Sequence, residues 1–236
     1  MMRALIVDDE SHARKELQRL LEASASFEIV GSCSNVMEAL RLINREKPQV
    51  LFLDVDMPVL NGFELLSMLD EKHLPRVVFV TAYDQYAVKA FEEQALDYLL
   101  KPVDPERLRK TIDKLKQEDA GGRAVSYPQA ELKRIPCCLA NRVKLIDPQS
   151  VEYVRSDFGG VYLVTAEGEF FTDLTLKTLA ARTSLVPCHK QYLINPALID
   201  EIRFLEGGLA EIQTRSGRQL PVSRRYVRPL KETFEL

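Results

Sequence analysis

The chain has 236 residues, 46% of them hydrophobic and 28% charged, with ten Gly and twelve Pro; this excludes collagen-like, mucin-like and wholly disordered chains and suits about two domains. No apolar run approaches the ~20 residues that span a bilayer, and Met1-Met2-Arg3-Ala4-Leu5-Ile6-Val7 runs into Asp8 with no signal-peptide core, so none is expected. The net charge of −3 is split, with 16 Lys and Arg against 22 Asp and Glu in residues 1–120, and 16 against 13 in residues 121–236.

In the acidic half, branched apolar runs alternate with segments of helical period. Ala4–Val7, Ile29-Val30, Val50–Leu53, Val77–Val80 and the short Leu99-Leu100 read as buried strands. Between them Ala13/Leu17/Leu20/Leu21, Val36/Leu40/Ile43 and Leu108/Ile112/Leu115 each mark one helical face. Asn35 with Glu38 predicts a capping box, and Asp104-Pro105 predicts the start of the last helix. Strands apolar on both faces, each followed by a helix, call for a five-stranded parallel sheet covered on two sides, an α/β domain.

Ligands of such sheets bind beyond the carboxyl ends of the strands. There the sequence places Asp8-Asp9-Glu10 after strand one, Asp54 after strand three, Thr81 after strand four and Lys101-Pro102 after strand five. Converging carboxylates repel one another unless a cation joins them. Oxygen-only donors point to Mg²⁺, and a hydroxyl with an ammonium completes a site suited to a phosphoryl group.

With Met57-Pro58, Asn61-Gly62 and Thr81-Ala82 in order, residues 1–117 resemble the receiver domain of two-component response regulators. The resemblance implies that Asp54 accepts a phosphoryl group from a histidine kinase. It implies that Asp9 and Asp54 hold Mg²⁺ through side chains, Asp56 through its backbone carbonyl and Asp8 through water. Thr81 and Lys101 would hold the phosphoryl oxygens, the Lys101–Pro102 bond would be cis, and Tyr98 would be the switch aromatic, the alternative being a packed core ring. Phosphorylation would then rearrange the face made by the helix after strand four, strand five and the last helix, where two receivers would pair. Asp56 and Tyr83 flank the path of water to the phosphoryl group and are expected to set its lifetime.

Residues 118–131, with Gly121-Gly122 and Pro128, read as a linker. From residue 132 to 236 short strands take over: Val143–Ile146, Val151–Val154, Val161–Val164, Glu169–Thr172, Tyr192–Ile194, Ile199–Ile202, Ala210–Thr214 and Gln219–Val222. Hairpin loops are expected at 166–168, 206–208 and 215–217. Only Leu174–Arg182 and a C-terminal piece look helical, so this is a mostly β domain without a helix-turn-helix pair. Pro229 would break a helix capped by Ser223, so the helix is expected either to begin near Arg228-Pro229 or to follow a kinked turn. Arg215, Arg218, Arg224, Arg225, Arg228 and Lys231 outweigh Glu232 and Glu235 in the last stretch, which suits phosphate and guanine recognition as well as an ordinary solvated surface.

Pro187-Cys188-His189-Lys190-Gln191-Tyr192-Leu193-Ile194-Asn195, Ile199-Asp200-Glu201-Ile202 and Leu220-Pro221-Val222-Ser223-Arg224-Arg225-Tyr226 resemble the LytTR DNA-binding domain, and receiver plus LytTR is the LytR/AlgR class of transcriptional regulators. The resemblance implies loops inserted in successive major grooves of double-stranded promoter DNA, over a direct repeat bound by two copies. DNA contacts would be His189 with Lys190, Arg224 with Arg225, and the loop around Asp157–Tyr162, including Gly160 and Tyr162. For His189 a packed structural role stays open. Cys137-Cys138 and Cys188 lack the spacing of a zinc site and read as buried thiols. With Cys33 they make four cysteines, too few for a disulfide framework, so a cytoplasmic protein is expected.

The expected function is a regulator, not an enzyme. Phospho-Asp54 would favour a homodimer that binds DNA, with no membrane partner. The alternative is a phosphorylation-controlled protein-binding module. A phosphatase is disfavoured because no general base or second metal site is evident.

Overall fold

A computed structural model describes residues 1–70, 74–86, 90, 94–121, 131–139 and 142–234. The chain divides into two compact units, Met1–Gln129 and Ala130–Leu236. Among the described residues no helix is long and apolar enough to cross a membrane.

The first unit contains β1 (Met2–Val7), β2 (Phe27–Cys33), β3 (Val50–Leu53), β4 (Arg76–Thr81) and β5 (Asp97–Leu100), all parallel in the order β2-β1-β3-β4-β5. Helices α1 (Ser11–Ala23), α2 (Val36–Glu46), α3 (Gly62–Met68) and α4 (Pro105–Gly121) accompany it. Because side chains alternate along a strand, Ala4, Ile6, Val50, Phe52, Val78, Val80 and Leu99 meet Leu17 and Leu21 of α1 and Leu108, Ile112 and Leu115 of α4 in one core cluster. The intervening Leu5, Val7, Leu51, Leu53, Val77 and Phe79 are also fully buried, and Phe79 lies 4.8 Å from the Phe63 ring of α3.

Local chemistry sets the helix ends. Asn35 accepts from the Glu38 N–H as expected, but the fully reciprocal capping box is at Asn61 and Glu64, at the start of α3. Asp104 accepts from the Glu106 N–H ahead of α4. That helix runs to Gly121, four residues into the span read as linker; Glu118, 3.7 Å from Arg76, ties its last turns to the sheet. The rest of that span up to residue 130, and residues 87–89 and 91–93 on the expected pairing face, lie outside the described residues.

Asp97, nine-tenths buried at the start of β5, fastens α4 to the sheet. It accepts two bonds from Arg107 (2.6 and 2.8 Å), one from Thr111 (2.7 Å) and one from Lys114 (3.1 Å). Burial alone would raise its pKa, but these donors outweigh burial and hold the carboxyl below the usual range.

The second unit is mostly β. Its ribbon of β6 (Ile135–Leu139) and β7 (Arg142–Ile146) precedes β8 (Val151–Asp157), β9 (Gly160–Thr165) and β10 (Gly168–Thr172). After α5 (Leu176–Arg182) come β11 (Val186–His189) and β12 (Tyr192–Ile194), then β13 (Ile199–Phe204), β14 (Ala210–Thr214) and β15 (Gln219–Val222), with α6 (Arg224–Thr233) last. A five-stranded sheet of order β10-β9-β8-β12-β11 and a three-stranded sheet β13-β14-β15 share a core of Tyr153, Ile194, Ile212, Val222 and Leu230. The buried Glu152 carboxylate joins the sheets by accepting from the Ser216 N–H (3.0 Å) and hydroxyl (2.8 Å). Asn195 is buried and satisfied, donating to the Gln149 and Val151 carbonyls and accepting from Ala197.

Two sequence readings are corrected here. Helix α6 begins at Arg224, directly after Ser223, and continues through Pro229, so it neither starts near Arg228 nor follows a kinked turn. The carbonyl that Pro229 leaves without its helical donor belongs to Arg225, and both residues are exposed, so water can satisfy it. Strands β6 and β11 were not expected. Both contain a proline that hides the strand pattern, and both lie at margins of the sheets, where a missing N–H is tolerated.

Two outcomes are expected. Asp97→Ala should destabilise the first unit by about 2 kcal/mol at pH 7, below the full value of bonds to charged groups because Arg107 and Lys114 are partly exposed. With a depressed folded pKa, the contribution is complete above pH of about 4 and disappears as pH falls through the folded value; urea unfolding at several pH values measures it. Gly62→Ala should cost about 1–3 kcal/mol in thermal or urea unfolding, because a Cβ there would lie 2.4 Å from the Asp54 carbonyl oxygen.

Candidate functional site

Backbone hydrogen bonds across the sheet gather the strand ends into one place. The Asp8 N–H donates to the Cys33 carbonyl, Asp54 to Val7, and Lys101 to Thr81. Four segments distant in sequence therefore present Asp8, Asp54, Thr81 and Lys101 together. Gly62 allows the backbone after β3 to pass close by, with its N–H donating to the Val55 carbonyl. The Lys101–Pro102 peptide is cis.

Lys101 is the hub. Its Nζ lies 2.8 Å from Asp8, 2.7 Å from Asp54 and 3.1 Å from Glu10. Burial disfavours the ammonium, yet the bonds to Asp54, Asp8 and Glu10 outweigh it and push its pKa up. Asp8 is shifted upward as well, because burial outweighs the bonds from Lys101 and the Glu10 N–H. Carboxylate oxygens of Asp8, Glu10 and Asp54 lie within 4.8 Å of one another, the one such group among the described residues. Hard, oxygen-only donors at this density suit a divalent cation. Glu10, which the sequence places at this strand end without a specific role, belongs to this group. Asp9 is exposed beside it, and its carboxylate is not among the three that converge.

Thr81 is fully buried, and its Oγ1 has no hydrogen-bond partner among the described residues. An unsatisfied buried hydroxyl is costly, and the Thr81 carbonyl accepts from the N–H of Lys101, whose ammonium meets the carboxylate cluster. Asp56 is exposed and donates its N–H to Asp54 at 3.3 Å. The half-buried Tyr98 donates its hydroxyl to the Tyr83 carbonyl, two residues past Thr81. A cavity of about 300 Å³ opens beside the cluster, walled by Leu17, Val80, Pro102 and Val103.

In the second unit the Ser223 N–H donates to the Cys188 carbonyl, bringing the start of α6 against the end of β11. Lys190, Arg224 and Arg225 are exposed there. Half-buried His189 accepts from the Gln191 N–H at 3.2 Å, and its ring lies 5.7 Å from that of Tyr192 in a tilted contact. Burial lowers the His189 pKa, reinforced by the charges of Lys190 and Arg225. Arg225 packs over the Tyr226 ring at 4.5 Å. Gly160 and Tyr162 lie on the β8–β9 hairpin, with Tyr162 beneath Arg155 at 4.3 Å. Pairing joins the two regions: His189, Tyr192, Arg155, Tyr162 and Phe171 face one another in register across five strands.

Cys33, Cys137 and Cys188 are buried free thiols. Burial pushes the thiols of Cys33, Cys137 and Cys188 up to about 12, and Cys138 lies 3.3 Å from Asp173.

The sequence matches the response regulator receiver domain over residues 4–113 and the LytTr DNA-binding domain over residues 141–235. A response regulatory protein of Vibrio cholerae is 50% identical over 232 residues, covering 98% of each chain. The transcriptional regulatory protein BtsR of Escherichia coli K12 is 48% identical over 239 residues, covering the whole of both. Among solved structures, the response regulatory domain of mrkE from Klebsiella pneumoniae is 36% identical with a TM-score of 0.47, covering 51% of this chain and 99% of that one. With carboxylates, hydroxyl and lysine gathered at one sheet edge and a basic β domain following, the chain belongs to the response regulators that join a receiver domain to a LytTr DNA-binding domain.

Proposed function

We propose that Asp54 is the phosphoacceptor and that its phosphorylation by a sensor histidine kinase controls promoter binding by the second unit. The observation that carries this reading is the buried, partnerless Thr81 hydroxyl beside a lysine held by three carboxylates. Both groups have the chemistry to receive phosphoryl oxygens. In the transfer, an Asp54 carboxylate oxygen forms the new P–O bond as the P–N bond of the kinase phosphohistidine breaks, and the electron pair stays on the imidazole. Lys101 exchanges its contact with Asp54 for a phosphoryl oxygen, and Thr81 gains the acceptor it lacks.

The converging oxygen donors of Asp8, Glu10 and Asp54 suit Mg²⁺; the ion would be held through the side chains of Asp9 and Asp54 and the Asp56 carbonyl, with Asp8 assisting through water and Glu10 alongside. When bound, the ion neutralises phosphoryl charge and orients an oxygen for in-line transfer. Inward movement of Thr81 pulls on the backbone leading to Tyr83, whose carbonyl holds Tyr98. Tyr98 is thus the switch aromatic, and it lies on β5 in the face where two receivers pair as a homodimer.

The receiver is assigned to residues 1–117, the linker to 118–131 and the DNA-binding domain to 132–236. His189, Lys190, Arg224 and Arg225 form one part of the DNA surface, and the hairpin bearing Gly160 and Tyr162 forms the other. Pairing of receivers places two such surfaces on a direct repeat and raises the effective concentration of the second. The protein is assigned to the cytoplasm, a compartment that keeps thiols such as Cys33, Cys137 and Cys188 reduced.

Two outcomes test this. A small phosphodonor with Mg²⁺ should load phosphate onto the wild-type protein and not onto Asp54→Asn, and should sharpen a salt-sensitive gel shift on selected duplex DNA. Arg225→Ala and Lys190→Ala should each weaken that shift by about fivefold or more; absence of salt-dependent DNA binding would favour a protein-binding output. Separately, Asp56→Asn or Tyr83→Ala should change the half-life of the aspartyl phosphate with loading intact, followed by release of labelled phosphate. Two unchanged half-lives would remove both residues from that role.

A further inference from the structure

The tip of the β8–β9 hairpin presents one aromatic side chain to solvent. Asp157 and Gly160 pair across the end of the ladder, leaving Phe158 and Gly159 as a two-residue turn. Phe158 is fully exposed, and its neighbours on the far side, Gly159 and Gly160, have no side chains. Gly160 is held at a φ that L side chains rarely adopt, and both glycines let neighbouring rings pack close. A Cβ on Gly159 would lie 2.8 Å from the Tyr162 hydroxyl oxygen, and one on Gly160, at φ +125°, would lie 2.5 Å from the Phe171 ring.

The turn is also pinned. Asp157 accepts from the Gly159 N–H at 2.8 Å, and the Tyr162 hydroxyl donates to the Gly159 carbonyl at 3.2 Å. Arg155 pairs with Asp157 and, at 2.7 Å, with Glu169, while its guanidinium covers Tyr162. Arg155 thereby offsets part of the negative charge of the two carboxylates nearest the tip, which lessens the repulsion when the apex approaches a polyanion. A side chain displayed on such a braced turn loses little further freedom on binding.

We infer that Phe158 is a sequence-reading residue that packs on the 5-methyl group of a thymine in the major groove. The inference rests on the DNA-binding reading of this hairpin and deepens it. A two-stranded β ribbon fits the width of the major groove, and the thymine methyl is the apolar feature that groove offers. Phe158 carries no charge or hydrogen-bonding group, so among base-edge features the methyl is its match. The cross-strand row from Tyr162 through Arg155 and Tyr192 to His189 makes the tip continuous with the surface that includes Lys190 and Arg225.

The test uses the full chain with a phosphodonor. Duplexes are selected by the wild-type protein from a random double-stranded library, and each thymine of the selected site is then replaced in turn by deoxyuridine, which removes only the methyl. At one or two thymines in each repeat the wild-type protein should lose about fourfold in affinity, the worth of one buried methyl. Phe158→Ala should bind the unmodified duplex more weakly by at least that factor and be indifferent to the replacement at those positions. Its salt dependence should equal that of the wild type, since no phosphate contact is lost. Arg225→Ala should bind weakly but keep the deoxyuridine sensitivity. Wild-type indifference to deoxyuridine at every thymine, or undiminished sensitivity in Phe158→Ala, would overturn the role of Phe158. Wild-type-like binding by both Arg225→Ala and Lys190→Ala would instead bring down the DNA surface as a whole, and this reading with it.

Discussion

Lys101 stands among carboxylates of Asp8, Glu10 and Asp54, and much of the first unit exists to hold it there. Two of these acids are almost fully buried, and unpaired buried charges would drive the strand ends apart or force protonation. The lysine ammonium offsets that repulsion. Its position depends on the Lys101 N–H bond to Thr81, on β5 pairing with β4, and on Asp97 anchoring α4 behind β5. The same chain of contacts leaves Thr81 unsatisfied and Tyr98 gripping the backbone just beyond it. Charge at Asp54 can thus be felt at β5 through a few directly bonded groups.

The second unit solves a different problem. The residues proposed to meet DNA lie on turns and at a helix start, and neighbouring groups brace these segments. Glu152 ties the 215–217 turn to β8, the Cys188 carbonyl holds the start of α6, and Arg155 holds the hairpin through Asp157. His189 is half-buried against Tyr192 and lies beside Lys190 and Arg225.

Legibility followed burial pattern. The strands of the first unit were readable because both sheet faces are covered, leaving unbroken apolar runs such as Val50–Leu53. Helix α3 was not, since five of its seven residues are buried and no polar face marks a helical period. Glu10 was legible as part of an acidic run at the strand end but not in its role, because that role depends on where Lys101 lies, 91 positions away. Asp97 escaped for the same reason, its partners being supplied by a helix that follows. Pro136, Pro187 and Pro229 misled in the conservative direction: proline forbids a hydrogen bond, and only the fold shows whether that bond was needed.

By itself the sequence determined the two-domain plan, the α/β and mostly β classes, and the residue types at each strand end, because periodicity and short motifs are local properties. The tertiary structure alone decided which charges converge, which hydroxyl is left without a partner, and that a five-strand row links one basic turn to a hairpin apex. Those are distances between segments remote in the chain, and no local pattern encodes a distance.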